Sequence, residues 1–375
     1  MTFVFILLFF PYLLLLGLMI YGWNRGLNKG SPPKKGYRPA ISVVIAARNE
    51  SQTIERILKD ISRQTYEDFN VILVNDGSTD RTSEIVMQHV AQDARFTLVR
   101  SGGEGKKAAL TTGIQVSKGE IIVTTDADCS LDRHWLQMIS GYFEDRETML
   151  VFGGVKISSS TFFSSIQAHE FLSLIGTAAA TQWWGFPTMC NGANLAFRKQ
   201  VFYEVGGYSN NLHIPSGDDE FLMRKIFQLY PKGIKFVACK QAVVTTSAVN
   251  MRQFIHQRIR WAGKWTRNSS MWSVCLAGFI FLFQLSILAM PWVIFFDLLS
   301  VPLAITLLTL KVVMEGVFLK KIAAFLNVSW NWTVFFVLQI AYPFYVVLIA
   351  IISPCIPFEW KGRTLKSVTI SMVKK

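Results

Sequence analysis

Apolar and polar positions divide the chain into three kinds of stretch. Phe3 to Ile20 carries no charge, and a helix needs about 20 apolar residues to cross a ~30 Å hydrocarbon layer. The run predicts a membrane anchor over residues 1–22. The middle of the chain alternates short strand-type runs with runs of helical period. Ile41 to Ala46 leads through Arg48-Asn49-Glu50-Ser51 to Ile54, Ile57, Leu58 and Ile61, which lie on one helix face. Val71 to Val74, the turn Asn75-Asp76-Gly77-Ser78-Thr79-Asp80, and Ile85, Val86 and Val90 repeat the unit. Phe96 to Val99 then leads through Gly102-Gly103-Glu104-Gly105 to a helix from Lys106, and Ile121 to Thr124 ends in Thr125-Asp126-Ala127-Asp128. This alternation predicts an α/β domain with a mostly parallel sheet, spanning residues 37–268. The chain is apolar again from Trp272 to Leu319 and from Trp332 to Ile356. A membrane region of two or three helices is expected over 272–357, broken near Asp297 to Pro302, before a basic tail at 358–375.

Composition agrees with a membrane-attached domain, since 375 residues with 51% hydrophobic content and a mean hydropathy of +0.33 are too apolar for an ordinary soluble protein. Charge adds orientation. Arg25, Lys29, Lys34, Lys35 and Arg38 follow the first apolar run. This order suits an uncleaved anchor with its start outside and the α/β domain in the cytoplasm of a multi-pass protein, at the plasma membrane. The tail carries Lys361, Arg363, Lys366, Lys374 and Lys375 and prefers the inside, whereas four crossings would place it outside. Either one C-terminal segment lies in the interface, or the tail breaks the charge rule. The surplus of +13 is juxtamembrane, with a third cluster from Arg252 to Arg267. It therefore points to membrane lipids and phosphates, not nucleic acid. Cys129, Cys190, Cys239, Cys275 and Cys355 are scattered without a C-x-x-C pair, so neither a disulfide framework nor a zinc site is expected. No obligate protein partner can be inferred.

Four clusters could carry chemistry. Asp126 and Asp128, two apart at the end of a buried strand, would repel each other without a positive partner. Mg²⁺ or Mn²⁺, which takes one or two carboxylates plus phosphate oxygens and water, suits them. Gly103-Glu104-Gly105-Lys106-Lys107-Ala108 fits a dinucleotide-binding fingerprint, with Asp126 about 20 residues on, but it comes in the third strand-helix unit instead of the first. Lys106 or Lys107 would serve a diphosphate under any nucleotide reading. Asp218-Asp219-Glu220 starts a helix, where acids are favoured by the dipole, yet a carboxylate there could also act as a general base. Gln257-Arg258-Ile259-Arg260-Trp261, with Lys264 and Trp265, forms a basic aromatic helix that could lie at a membrane surface, meet a diphosphate and an acceptor ring, or both. Asn191-Gly192-Ala193-Asn194 is a turn of little independent meaning, and His169, His213 and His256 lack metal-ligand spacing.

In this order and spacing the clusters resemble the family-2 glycosyltransferases, an inverting group of GT-A fold that includes cellulose, chitin and hyaluronan synthases and ceramide glucosyltransferases. The resemblance runs from about Ile41 to Trp265. It implies a nucleotide-sugar donor, expected to be a UDP-sugar, and a lipid-linked or glycan acceptor in envelope polysaccharide or glycolipid synthesis. By the same resemblance Ala46, Glu50 and Asp76 would face the nucleoside, Asp126 the ribose or diphosphate, and Asp128 the metal. Asp219 would be the base, while Gln257, Arg260 and Trp261 match the Q-x-x-R-W motif. Asp218 stands where many members have Glu, which leaves the base open between Asp218 and Asp219. The short C-terminal region favours single addition over a processive polysaccharide synthase. A catalytically inactive nucleotide-binding scaffold is the alternative of another class, although Asp128 and Asp219 are both present.

Overall fold

The computed structural model describes residues 2–29, 38–209, 216–263, 271–353, 356, 358–360 and 363–365. Lys34 and Lys35, His213, Lys264 and Trp265, and most of the basic tail lie outside the described residues.

Four strand-helix units open the domain: β1 (Ile41–Ala47) and α2 (Ile54–Ser62), β2 (Phe69–Asn75) and α3 (Thr82–Val90), β3 (Phe96–Arg100) and α4 (Lys106–Val116), and β4 (Ile121–Thr124) and α5 (Trp135–Ser140). β5 (Leu150–Gly153), β6 (Val155–Ile157), α6 (Phe162–Trp183), β7 (Leu195–Arg198), α7 (Lys199–Glu204), α8 (Asp218–Leu229), β8 (Ile234–Val237), β9 (Val244–Thr246) and α9 (Met251–Ala262) complete it. One sheet holds seven strands in the order β3-β2-β1-β4-β7-β5-β8. Within it only β7 runs antiparallel to its neighbours. Because helices cover both faces, the strands read as continuous apolar runs: Val43, Val44, Ile45, Leu73, Val74, Ile122 and Val123 are all buried. The chain builds outward from β1 to β3 and then crosses to β4 on the other side of β1. This reversal leaves a crevice beyond the strand ends, where open sheets of this kind hold ligands.

Helix α1 (Thr2–Lys29) continues past residue 22, and α10 (Met271–Phe295), α11 (Val301–Leu326) and α12 (Trp332–Ile352) follow the domain. These four helices contain the segments Thr2–Leu27, Val274–Phe295, Val301–Leu326 and Trp332–Ile352, each long and apolar enough to cross a membrane. β10 (Phe358–Trp360) and β11 (Arg363–Leu365) pair antiparallel after α12. α6 joins the two halves of the molecule. Its Trp184 cap donates to the Leu18 carbonyl of α1 at 2.9 Å, and Gly176 packs against Ile322 and Phe318 of α11.

Candidate active site

The loops after β1 and β2 are built as one piece. Asn49, in the left-handed region at φ 52°, accepts the Thr79 N–H through Oδ1 at 2.8 Å, and its own N–H donates to Ser78 Oγ. The Glu50 N–H donates to Thr82 Oγ1 at 2.8 Å and the Ser51 N–H to Asp80 Oδ2 at 3.0 Å. Burial counts against the Asp80 charge, yet bonds from Thr82 and Ser51 outweigh it and hold the carboxyl well below its usual range. Arg48 bonds the carbonyls of Asp76 and Gly77, each at 2.8 Å. Much of the Asn75–Asp80 turn is therefore a brace. Asp76 is buried, and its two carboxylate oxygens accept the Gly105 N–H at 3.0 and 3.2 Å. Gly105 has φ +94°, a region that disfavours side chains. Its N–H is thus committed to Asp76, and β3 is an edge strand, which removes the two features a dinucleotide fingerprint needs. Ala46 is half-buried at the end of β1, and the half-buried Glu50 turns its Oε2 to Thr53 Oγ1 at 3.0 Å.

Beyond β4 lies a cleft of ≈ 240 Å³ that brings together Lys106, Asp126, Asp128, Asp218, Asp219, Gln257, Arg260 and Trp261. Alternation along the chain buries Ala127 and Cys129 and turns Asp126 and Asp128 outward. Lys106 Nζ lies 2.6 Å from Asp126 and 3.4 Å from Asp218. Burial alone would lower the Lys106 pKa, but Asp126 and Asp218 outweigh it and hold the ammonium above the usual lysine range. Burial likewise pushes Asp218 up, while Lys106, a backbone N–H, Lys107 and Arg260 bring it below the ordinary carboxylate value. Lys107, by contrast, is buried with its ammonium 4.7 Å from the Phe221 ring centroid, so Lys106 is the lysine of the cleft. Gly217, at φ 79°, caps α8 and sets Asp218 and Asp219 in its first turn. Half-buried Asp219 accepts the Gly192 N–H at 3.0 Å and the Glu220 N–H at 2.7 Å. A Cβ at Gly192 would meet Asp218 Oδ2 at 3.1 Å and Lys106 Nζ at 3.4 Å. The Asn191–Asn194 turn, of little meaning by itself in the sequence, therefore belongs to the site.

The charges decide whether a cation fits. Asp126, Asp128, Asp218 and Asp219 face Lys106 and Arg260, whereas Glu220 is matched by Arg224 at 2.5 Å. Among the described residues that line the cleft, these four carboxylates stand with two cations, a ratio that a divalent ion would balance. Among the described residues no group of three or more His, Cys, Asp or Glu could hold a metal ion. The available set is Asp126 and Asp128, the latter steadied by Thr246 Oγ1 at 3.2 Å. That set suits an ion completed by phosphate oxygens and water.

Phe152, Phe236 and one face of α6 including Phe171, Leu174 and Ala178 form an apolar part of the cleft wall, with Gln167, Ser216 and Ser247 as polar lining beside it. α9 closes it, started by a capping box between Asn250 and Gln253.

Acids gathered beyond the strand ends of a mostly parallel sheet stand where open α/β sheets hold ligands. Residues 42–206 match the family model described as Glycosyl transferase family 2. The glycosyltransferase AglE of Haloferax volcanii is 32% identical over 193 residues, 48% of this chain and 59% of AglE. The poly-beta-1,6-N-acetyl-D-glucosamine synthase of Staphylococcus aureus is 28% identical over 218 residues, 55% of this chain and 53% of the synthase. The chain thus spans little more than half the length of either relative. The mannosyltransferase PcManGT from Pyrobaculum calidifontis, in complex with GDP-Man and Mn²⁺, superposes with a TM-score of 0.58 at 20% identity, covering 94% of this chain and 99% of that one. The likeness in fold extends into the apolar helices.

Proposed function

We propose that this chain is a membrane-bound inverting glycosyltransferase that moves a sugar from a nucleoside-diphosphate donor to a lipid-linked or glycan acceptor on the cytoplasmic face. The observation that carries this reading is the convergence of Asp126, Asp128, Asp218 and Asp219 with Lys106, Arg260, Gln257 and Trp261 in one cleft at the switch point. Ala46, Glu50 and Asp76 bound the nucleoside side, with Asp76 also fixing the Gly105 loop. Asp128 with Asp126 would hold Mg²⁺ or Mn²⁺, whose chemistry there is to neutralise charge on the leaving diphosphate. Lys106 and Arg260 add fixed positive charge beside the same group. Asp219 takes the proton from the acceptor hydroxyl as that oxygen attacks the anomeric carbon. Asp218, kept ionised, holds Lys106 in place. The apolar part of the cleft wall, with Phe152, Phe171, Leu174 and Phe236, favours an acceptor carrying a hydrocarbon chain, which fits one sugar per encounter. The relatives' names, a mannosyltransferase with GDP-Man and Mn²⁺ among them, agree with this chemistry.

The test is purified protein in membrane vesicles, incubated with UDP-glucose, UDP-N-acetylglucosamine and GDP-mannose and Mg²⁺ or Mn²⁺. Release of nucleoside diphosphate coupled to labelled glycolipid or glycan is expected with one donor, abolished by chelation or by Asp128→Ala. No turnover with any donor would refute the reading, and full activity in excess chelator would refute the metal assignment.

A further inference from the structure

Behind the cleft wall lies a buried ion pair that the transfer mechanism above does not use. Glu170 of α6 and Arg258 of α9 are both almost wholly buried. They face each other as two forks: Arg258 Nε donates to Glu170 Oε1 at 3.2 Å, and Arg258 Nη2 donates to Oε2. The remaining arm, Nη1, donates to Gln257 Oε1 at 2.6 Å. The guanidinium is also clamped between aromatic rings, 4.4 Å from the Phe254 centroid and 4.3 Å from that of Trp261.

A guanidinium has donors only, so the amide atom facing it must be oxygen. The Gln257 NH₂ is thereby forced to the other side, and Gln257 lines the cleft. We infer that Glu170 and Arg258 are positioning residues for sugar transfer: the pair fixes the Gln257 amide so that its NH₂ donates to a substrate oxygen in the cleft, and fixes the Trp261 ring plane beside it. The inference rests on the glycosyltransferase reading. A buried pair used only for stability gains little over apolar packing, whereas a fork that orients an amide and a ring gains specificity in a way apolar packing cannot.

Glu170→Gln, Arg258→Lys and Gln257→Glu separate the roles, each assayed with the nucleotide sugar that the wild-type chain turns over, alongside thermal unfolding in detergent. Gln257→Glu is the decisive variant, because a carboxylate still accepts from Arg258 but donates nothing. It should unfold at the wild-type temperature while losing about 10- to 100-fold in kcat/KM, the size expected when a site hydrogen bond is lost. Arg258→Lys, which keeps the charge and loses the fork, should show a similar loss with a smaller change in stability than Glu170→Gln. If the wild-type chain transfers sugar and Gln257→Glu is as active as wild type, the inference is wrong and the pair is only structural. A wild-type chain inactive with every donor would instead overturn the function on which it rests.

Discussion

Asp218 and Asp219 are neighbours with opposite surroundings, and the difference assigns them work. Asp218 is buried against Lys106, its pKa held down by that ammonium and Arg260 against the push of burial. A carboxylate so stabilised is a poor proton acceptor. Asp219 is half-buried in the cleft, oriented by the Gly192 and Glu220 N–H groups. Removing a general base costs about 10² to 10⁴ in rate. Asp219→Asn is therefore expected to lose that much kcat while retaining donor affinity, measured by equilibrium binding. Asp218→Asn should mainly raise donor KM, because it releases Lys106. The reverse pattern, a dead Asp218→Asn beside an active Asp219→Asn, would move the base one residue.

Among elements, the loops after β1 and β2 act together because Asp80, Ser78 and Thr82 tie one to the other. Asp80→Ala removes acceptors for the Ser51 N–H and for Thr82. If both loops bound the nucleoside side, as proposed above, donor KM should rise by about 3- to 10-fold with kcat little changed. A second joint is made by His169 of α6, whose Nε2 accepts the Asn331 N–H at 3.1 Å as its Nδ1–H donates to the Ser165 carbonyl at 2.8 Å. Both bonds need the neutral ring, and burial holds its pKa below the ordinary value. The unfolded chain takes up the proton first, so this contribution is intact above about pH 6.5 and is lost as pH falls below it. Thermal unfolding in detergent should show a drop between about pH 7.5 and 5.5 that is smaller in His169→Gln. An equal drop in the two proteins would count against the assignment.

For the whole molecule the open question was the side on which the basic tail lies. The last turns of α12 pack on the domain, with Ile349 against Ile259 of α9, and the first residues beyond it, in β10, also lie on α9. The chain thus returns to the domain that carries the cleft. Tail and domain should share a side, as the charge rule prefers. In a cysteine-free variant, a thiol placed at Ser371 should resist an impermeant reagent in intact cells, as should one at Ser51. Labelling of Ser371 with protection of Ser51 would show a true fourth crossing.

Local pattern was enough for the strand-helix alternation, the apolar helices and the acids at strand ends, because burial on both faces of a parallel sheet and the length of a bilayer each leave a direct mark on the order of residues. The same reading listed Asp126, Asp128, Asp218, Asp219, Lys106, Gln257, Arg260 and Trp261, and the fold gathers all of them into one cleft. It could not see that Asp76 binds Gly105, that Gly192 leaves room for the charged cluster, or that Glu170 reaches Arg258. Those pairs are separated by 27 to 88 positions. They meet only when β2, α4, α6, α8 and α9 are packed, and a short-range periodicity carries no information about which distant carboxylate will satisfy a buried cation. Packing decides that, since a charge removed from water must find its partner inside the fold.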